Sequence, residues 1–115
     1  MGTDLRDLWD FSDPSGSERR FRALASASPE PAATHAMTQV ARALGLQERY
    51  DDAHAVLDGL GVDDPESRVR LALERGRLLR SAGDPEAARP HFEDARSAKD
   101  GSVAQFKIFR GAKLR

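Results

Sequence analysis

Two stretches of this 115-residue chain, Thr34 to Ser67 and Ser67 to Ala98, carry one residue pattern at an offset of 35 residues. Ala41 matches Gly76, Leu44 matches Leu79, Ala53 matches Ala88 and Leu57 matches Phe92. Self-similarity at such a period points to a repeat architecture, in which each unit is one supersecondary element buried only against its neighbours. The second stretch shows the element. Leu71, Ala72, Arg75, Leu78, Leu79 and Ala82 recur at three- and four-residue spacing and share one helical stripe. Gly83 ends that helix, and Asp84-Pro85 opens another with a capping oxygen and a Pro in the first turn. Ala88, Phe92 and Ala95 follow at spacings of four and three, the small-large-small face of a helix packed closely on its hairpin partner. Gly76 lies inside the first stripe, where it costs roughly 1 kcal/mol against Ala. This predicts close approach of a neighbouring helix at Gly76.

The same punctuation marks the rest of the chain. Asp13-Pro14 and Asp64-Pro65 repeat the cap-then-Pro signal. The pattern predicts a helix over Glu18 to Ala27 carrying Phe21 and Leu24 and closed by Pro29, and a second from about Pro31 to Leu46. A third is opened by Arg49-Tyr50-Asp51 and ends near Gly59-Leu60-Gly61. The expected class is all-α.

These units resemble tetratricopeptide repeats, whose period is about 34 residues. Ala41, Leu44, Ala53, Leu57, Leu60 and Pro65 stand at that family's signature positions, with Tyr50 at its aromatic position; in the second copy they are Gly76, Leu79, Ala88, Phe92 and Ala95. The family's first Trp is absent (Met37 and Ala72 stand there), and Arg75 replaces a usual Leu. The resemblance covers about Thr34 to Ala98. It implies antiparallel helix hairpins stacked in a right-handed superhelix, about two full repeats plus flanking helices. Phe21, Leu24 and Pro29 then mark the second helix of an incomplete first unit. Leu5, Leu8, Trp9 and Phe11 would cover the open end of the stack, as solubility requires. The Arg- and Ala-rich composition and the LWDF…DP start resemble repeat proteins of high-GC actinobacteria.

Residues 1–98 are expected to form this solenoid and 99–115 a separate basic tail. From Met1 to Arg96 every basic residue is Arg; Lys first appears at Lys99, and the only Ile is Ile108. The tail, with its Gly101-Ser102, is either a cloning remnant or a natural terminal segment that caps the last repeat. Phe106, Ile108 and Phe109 would supply that cap, on this molecule or a neighbour, and Ala104, Phe106 and Ile108 alternate in a weak strand pattern. There is no Cys, so disulfides and thiolate metal sites are excluded. No apolar run reaches membrane-spanning length, the start lacks the order of a signal peptide, and cytoplasm is the expected location.

Catalytic signals are missing. His35, His54 and His91 fall on three different helices, and Asp51-Asp52 suits a helix N-terminus better than a metal. No enzyme, cofactor or metal is expected. What remains is a surface. In the resembled family the concave face is lined by one side of each unit's first helix, which here implies His35, Thr38, Arg42, Gly45 and Leu46, then Arg70, Leu73, Arg77, Arg80 and Ser81. Four arginines on that face suit an acidic peptide, unless they pair with Glu66 and Glu74 of the same helix. The family's carboxylate-clamp pattern of Lys and Asn is absent, since Thr38 and Arg42 stand there. The expected function is a protein-interaction scaffold. The alternatives are a piece of a longer repeat protein that self-associates, as a homo-oligomer through its tail, and an anion binder acting on nucleic acid or membrane through the basic tail. The acidic body stands against the last.

Overall fold

The computed structural model describes residues 4–61 and 63–99. A 3-10 turn, Leu5–Leu8, precedes helices α1 (Pro14–Ala27), α2 (Ala32–Leu46), α3 (Tyr50–Asp58), α4 (Pro65–Ser81) and α5 (Pro85–Lys99). The described chain is all-helical and contains no strand. All three Asp-Pro pairs open helices. Asp13, Asp64 and Asp84 each accept a hydrogen bond from the backbone N–H three residues on, at 3.1, 3.0 and 3.1 Å. This satisfies one donor that a helix start leaves orphaned. It also explains why α1 begins at Pro14, four residues before the expected start. The start of α2 has no capping side chain at Pro31. Glu30 holds it instead, accepting from Thr34 N at 3.0 Å and Thr34 Oγ1 at 2.6 Å.

The C-terminal ends of α2 and α4 close in one way. Arg49 N donates to Leu44 O and Glu48 N to Gly45 O; 35 residues on, Asp84 N donates to Leu79 O and Gly83 N to Arg80 O. The residue that turns the chain is Glu48 at φ 61° in the first case and Gly83 at φ 95° in the second. Glycine enters this left-handed region freely and Glu does not.

Helix α2 is central, touching α1, α3 and α4, and α4 in turn touches α3 and α5. The core is Phe21 of α1, Val40, Ala41 and Leu44 of α2, Ala53 and Leu57 of α3, and Leu78 of α4, each at most 3% exposed. Full burial of one such large side chain stabilises by about 1.5–3 kcal/mol. Beyond α4 the interior thins to Ala88, Ala95 and Ala98. Close approach at Gly76 is met: a methyl group there would lie 2.8 Å from the Phe92 ring. Gly45 plays the same part between α2 and α4, where a methyl would lie 2.5 Å from Leu78 Cδ2. Arg75 leaves the apolar stripe to bridge to α3, 2.7 Å from Asp58 and 2.9 Å from His54 Nδ1. Pro90 sits inside α5, so the helix continues past a missing N–H.

Among the described residues no helix is long and apolar enough to cross a membrane. The expectations for residues 100–115, including the cap and the strand pattern, lie outside the described residues.

Candidate binding cleft

The N-terminal segment does more than cover apolar surface. Leu5, Leu8 and Trp9 pack on the core, with the Trp9 ring 5.1 Å from Phe21. Trp9 Nε1 donates to Gln39 Oε1 of α2 at 2.9 Å. Arg20 of α1 donates to Leu8 O at 2.9 Å, and Ser17 Oγ both donates to Asp10 O and accepts from Asp10 N. The segment is thus fixed across α1 and α2. It forms one wall of a cleft of about 720 Å³, with Gln39 and Arg42 of α2 and Arg70, Leu73, Glu74 and Arg77 of α4 as the rest of the lining. A smaller hollow of about 180 Å³ shares Arg42, Glu74 and Arg77 and continues to Gly45, Leu46, Arg80 and Ser81. The two large hydrophobic residues that stay exposed among the described residues, Phe11 at 57% and Leu46 at 48%, line these two spaces.

Most of the charge in the cleft is matched locally. Arg6 pairs with Asp4 at 3.0 Å, Arg70 with Glu66 at 2.9 Å and Arg77 with Glu74 at 2.5 Å. Arg42 has no carboxylate or hydrogen-bond partner among the described residues. Its guanidinium lies 5.3 Å from the Trp9 ring centre and 5.2 Å from that of Phe11, and the two rings stack 4.6 Å apart. The negative ring faces attract the cation. Burial lowers the Arg42 pKa, Arg77 lowers it further by repulsion, and Glu74 opposes both.

Glu74 is 1% exposed. Burial raises its pKa, against the pull of Arg77, Arg42 and the Gln39 amide, which donates to it at 3.3 Å. Gln39 and Glu74 are 35 residues apart, so this buried bond joins equivalent positions of the two units.

The structure gathers five of the seven expected groove residues. Arg42, Arg70, Leu73 and Arg77 line the cleft, and Arg80 lines the adjoining hollow with its guanidinium 5.3 Å from the Phe92 ring of α5. The other two are corrected. Thr38 is completely buried, and its hydroxyl donates to His35 O at 2.6 Å. With no exposed surface, Thr38 cannot touch a ligand, although its neighbour Gln39 lines the cleft. His35 ties α2 to the start of α4, 3.5 Å from Asp64 and 3.7 Å from Glu66. The local pairings weighed from the sequence hold for Arg70 and Arg77 and fail, among the described residues, for Arg42 and Arg80, which lie against aromatic rings instead. Sequence reasoning missed Gln39 and the aromatic wall. A polar residue at the same place in both units, Gln39 and Glu74, was the available signal. The aromatic wall had none, since it is made by a segment outside the repeat.

Among the described residues no group of three or more His, Cys, Asp or Glu could hold a metal ion. The chain matches no known family model, no curated protein and no solved structure.

Proposed function

We propose that this chain is a protein-interaction module of tetratricopeptide type, which takes an extended segment of a partner protein in the cleft between residues 4–11, α2 and α4. The observation that carries this reading is the placement of Phe11 and Leu46. Two exposed large hydrophobics line adjoining concave spaces that share Arg42, Glu74 and Arg77, and a concave site that combines apolar side chains with a few polar ones is where a ligand is expected. The helix contacts support the repeat reading, since α2 meets α3, α3 meets α4, α2 meets α4 and α4 meets α5, the neighbours a stack of hairpins requires. The Cys-free composition fits a cytoplasmic protein.

The test is a peptide array of mixed composition, probed with the full chain and with Leu73→Trp. Leu73 is half-buried on the α4 wall, and a larger ring there fills the cleft without touching the core. The expected result is a set of peptides bound by the native chain and lost by the variant. Peptides bound equally by both would place the interaction elsewhere and end this reading.

A further inference from the structure

If the cleft is the binding surface proposed above, its lining selects the chemistry of the partner. On that basis we infer that the cleft seats one carboxylate on Arg42, carried by a partner residue next to an aromatic or large aliphatic side chain.

The charge balance of the cleft supports this first. Three of its arginines already hold a carboxylate each, at 3.0, 2.9 and 2.5 Å, and Arg42 holds none. Arg80 also lacks a carboxylate among the described residues, but it lies in the adjoining hollow against Phe92; within the cleft itself one unmatched cation, Arg42, remains. A single carboxylate balances it, whereas a phosphomonoester brings about −1.5 to −2 charge at neutral pH and leaves the cleft negative.

Burial adds to the pull. Arg42 is half-buried and stands near Arg77, so it has lost water and gained a like charge. A cation in that position gains more from an incoming anion than an exposed one does.

The geometry leaves room for the anion. The Arg42 guanidinium lies over the Trp9 and Phe11 rings. Contact with the rings uses none of its N–H donors, and none of them is hydrogen-bonded among the described residues. A carboxylate can therefore join without displacing the aromatics. The apolar neighbour on the partner would lie on Phe11, which is 57% exposed, and on Leu73 across the cleft.

A cationic partner is disfavoured by the remaining acid. The Glu74 oxygen that lacks a hydrogen-bond partner, Oε1, is itself sealed from solvent, so an incoming ammonium cannot reach it.

Trp9 is the only Trp in the chain, so its emission reads the site directly in the full-length protein. The probes are N-acetyl-Glu-Phe-amide, its Gln-Phe counterpart and its phosphoserine-Phe counterpart, titrated at fixed ionic strength. The Glu probe should change Trp9 emission saturably, with at least tenfold tighter binding than the Gln probe and binding no weaker than the phosphoserine probe. Arg42→Gln should erase the difference between Glu and Gln. Arg42→Lys, which keeps the charge but not the fork, should retain part of it, and Arg89→Gln on α5 should leave it intact. Unchanged far-ultraviolet circular dichroism establishes that each variant is folded.

Equal binding of the Glu and Gln probes would overturn the carboxylate seat and leave the cleft reading standing. Tenfold tighter binding of the phosphoserine probe would overturn the preference for a single negative charge. A Glu preference that survives Arg42→Gln would move the seat to another residue. No effect of any probe on Trp9 would end both the seat and the cleft reading.

Discussion

The two stretches that share the 35-residue pattern end in different surroundings. In the first, Leu57 is 1% exposed and packs with Phe21, Val40 and Leu44, because that unit lies between α1 on one side and α4 on the other. In the second, the equivalent Phe92 packs on Gly76 of α4 but stays half-buried, and the fully buried residues of α5 are Ala88, Ala95 and Ala98. The arginines diverge too. Arg77 is held by Glu74, while Arg42, its counterpart 35 residues earlier, rests on aromatic rings contributed from outside the repeat. Matched sequence positions therefore do not share a role, because their neighbours decide what each side chain does.

The largest expected effect tests that asymmetry of burial. Leu57→Ala should cost about 2–5 kcal/mol, the range for emptying a filled core site. Phe92→Ala, at the equivalent position but half in solvent, should cost roughly half as much. Urea unfolding of both variants measures the difference. Equal losses would mean that the second unit is as well enclosed as the first.

A smaller effect comes from the helix ends. Glu48 and Gly83 perform the same turn, and only Glu48 strains in the left-handed region. Glu48→Gly should raise stability by about 1 kcal/mol, read from the same urea curves. A loss instead would show that the Glu48 side chain does something at its surface site that outweighs the strain.

The smallest effect separates the α3–α4 contact from the rest. Burial, the adjacent Arg75 and His91 lower the pKa of His54, while Asp58 and Asp51 oppose them. The neutral ring is the form that can accept from Arg75. A group with a depressed folded-state pKa adds stability above its unfolded value near 6.5 and loses it as pH falls toward the folded value. The unfolding midpoint should therefore drop between pH 7.5 and 5.5 and drop less in His54→Gln, which keeps an acceptor and does not titrate. Identical slopes for the two proteins would remove His54 from the account.

The helices were legible because their signals are local. Three Asp-Pro caps and the spacing of Leu44, Leu57, Leu78 and Phe92 act within a turn or two, and each is found where the sequence predicts a helix. Close packing at Gly76 was also legible, since a glycine in a helix needs a steric reason. The cleft was legible only in part. Arg42, Arg70 and Arg77 could be placed on one face by spacing, but that spacing does not distinguish a groove position from one turned into the neighbouring helix, and Thr38 fell on the wrong side of that line. Nor could sequence tell that Arg42 would rest on aromatic rings rather than on a carboxylate. That depended on residues 9 and 11 folding back across α2, a contact between segments about 30 residues apart with no periodic trace.

Pro90 carries a consequence in time rather than in energy. With no N–H at that position, the Glu86 carbonyl lacks its helical donor in the middle of α5. The helix has α4 as its one main neighbour among the described residues, with Phe92 as its one large side chain packed there. Hydrogen exchange should therefore be graded along the chain. The amides of α5 should take up deuterium first, through openings that leave α1 to α3 closed, while those of α2 should wait for the whole molecule to unfold.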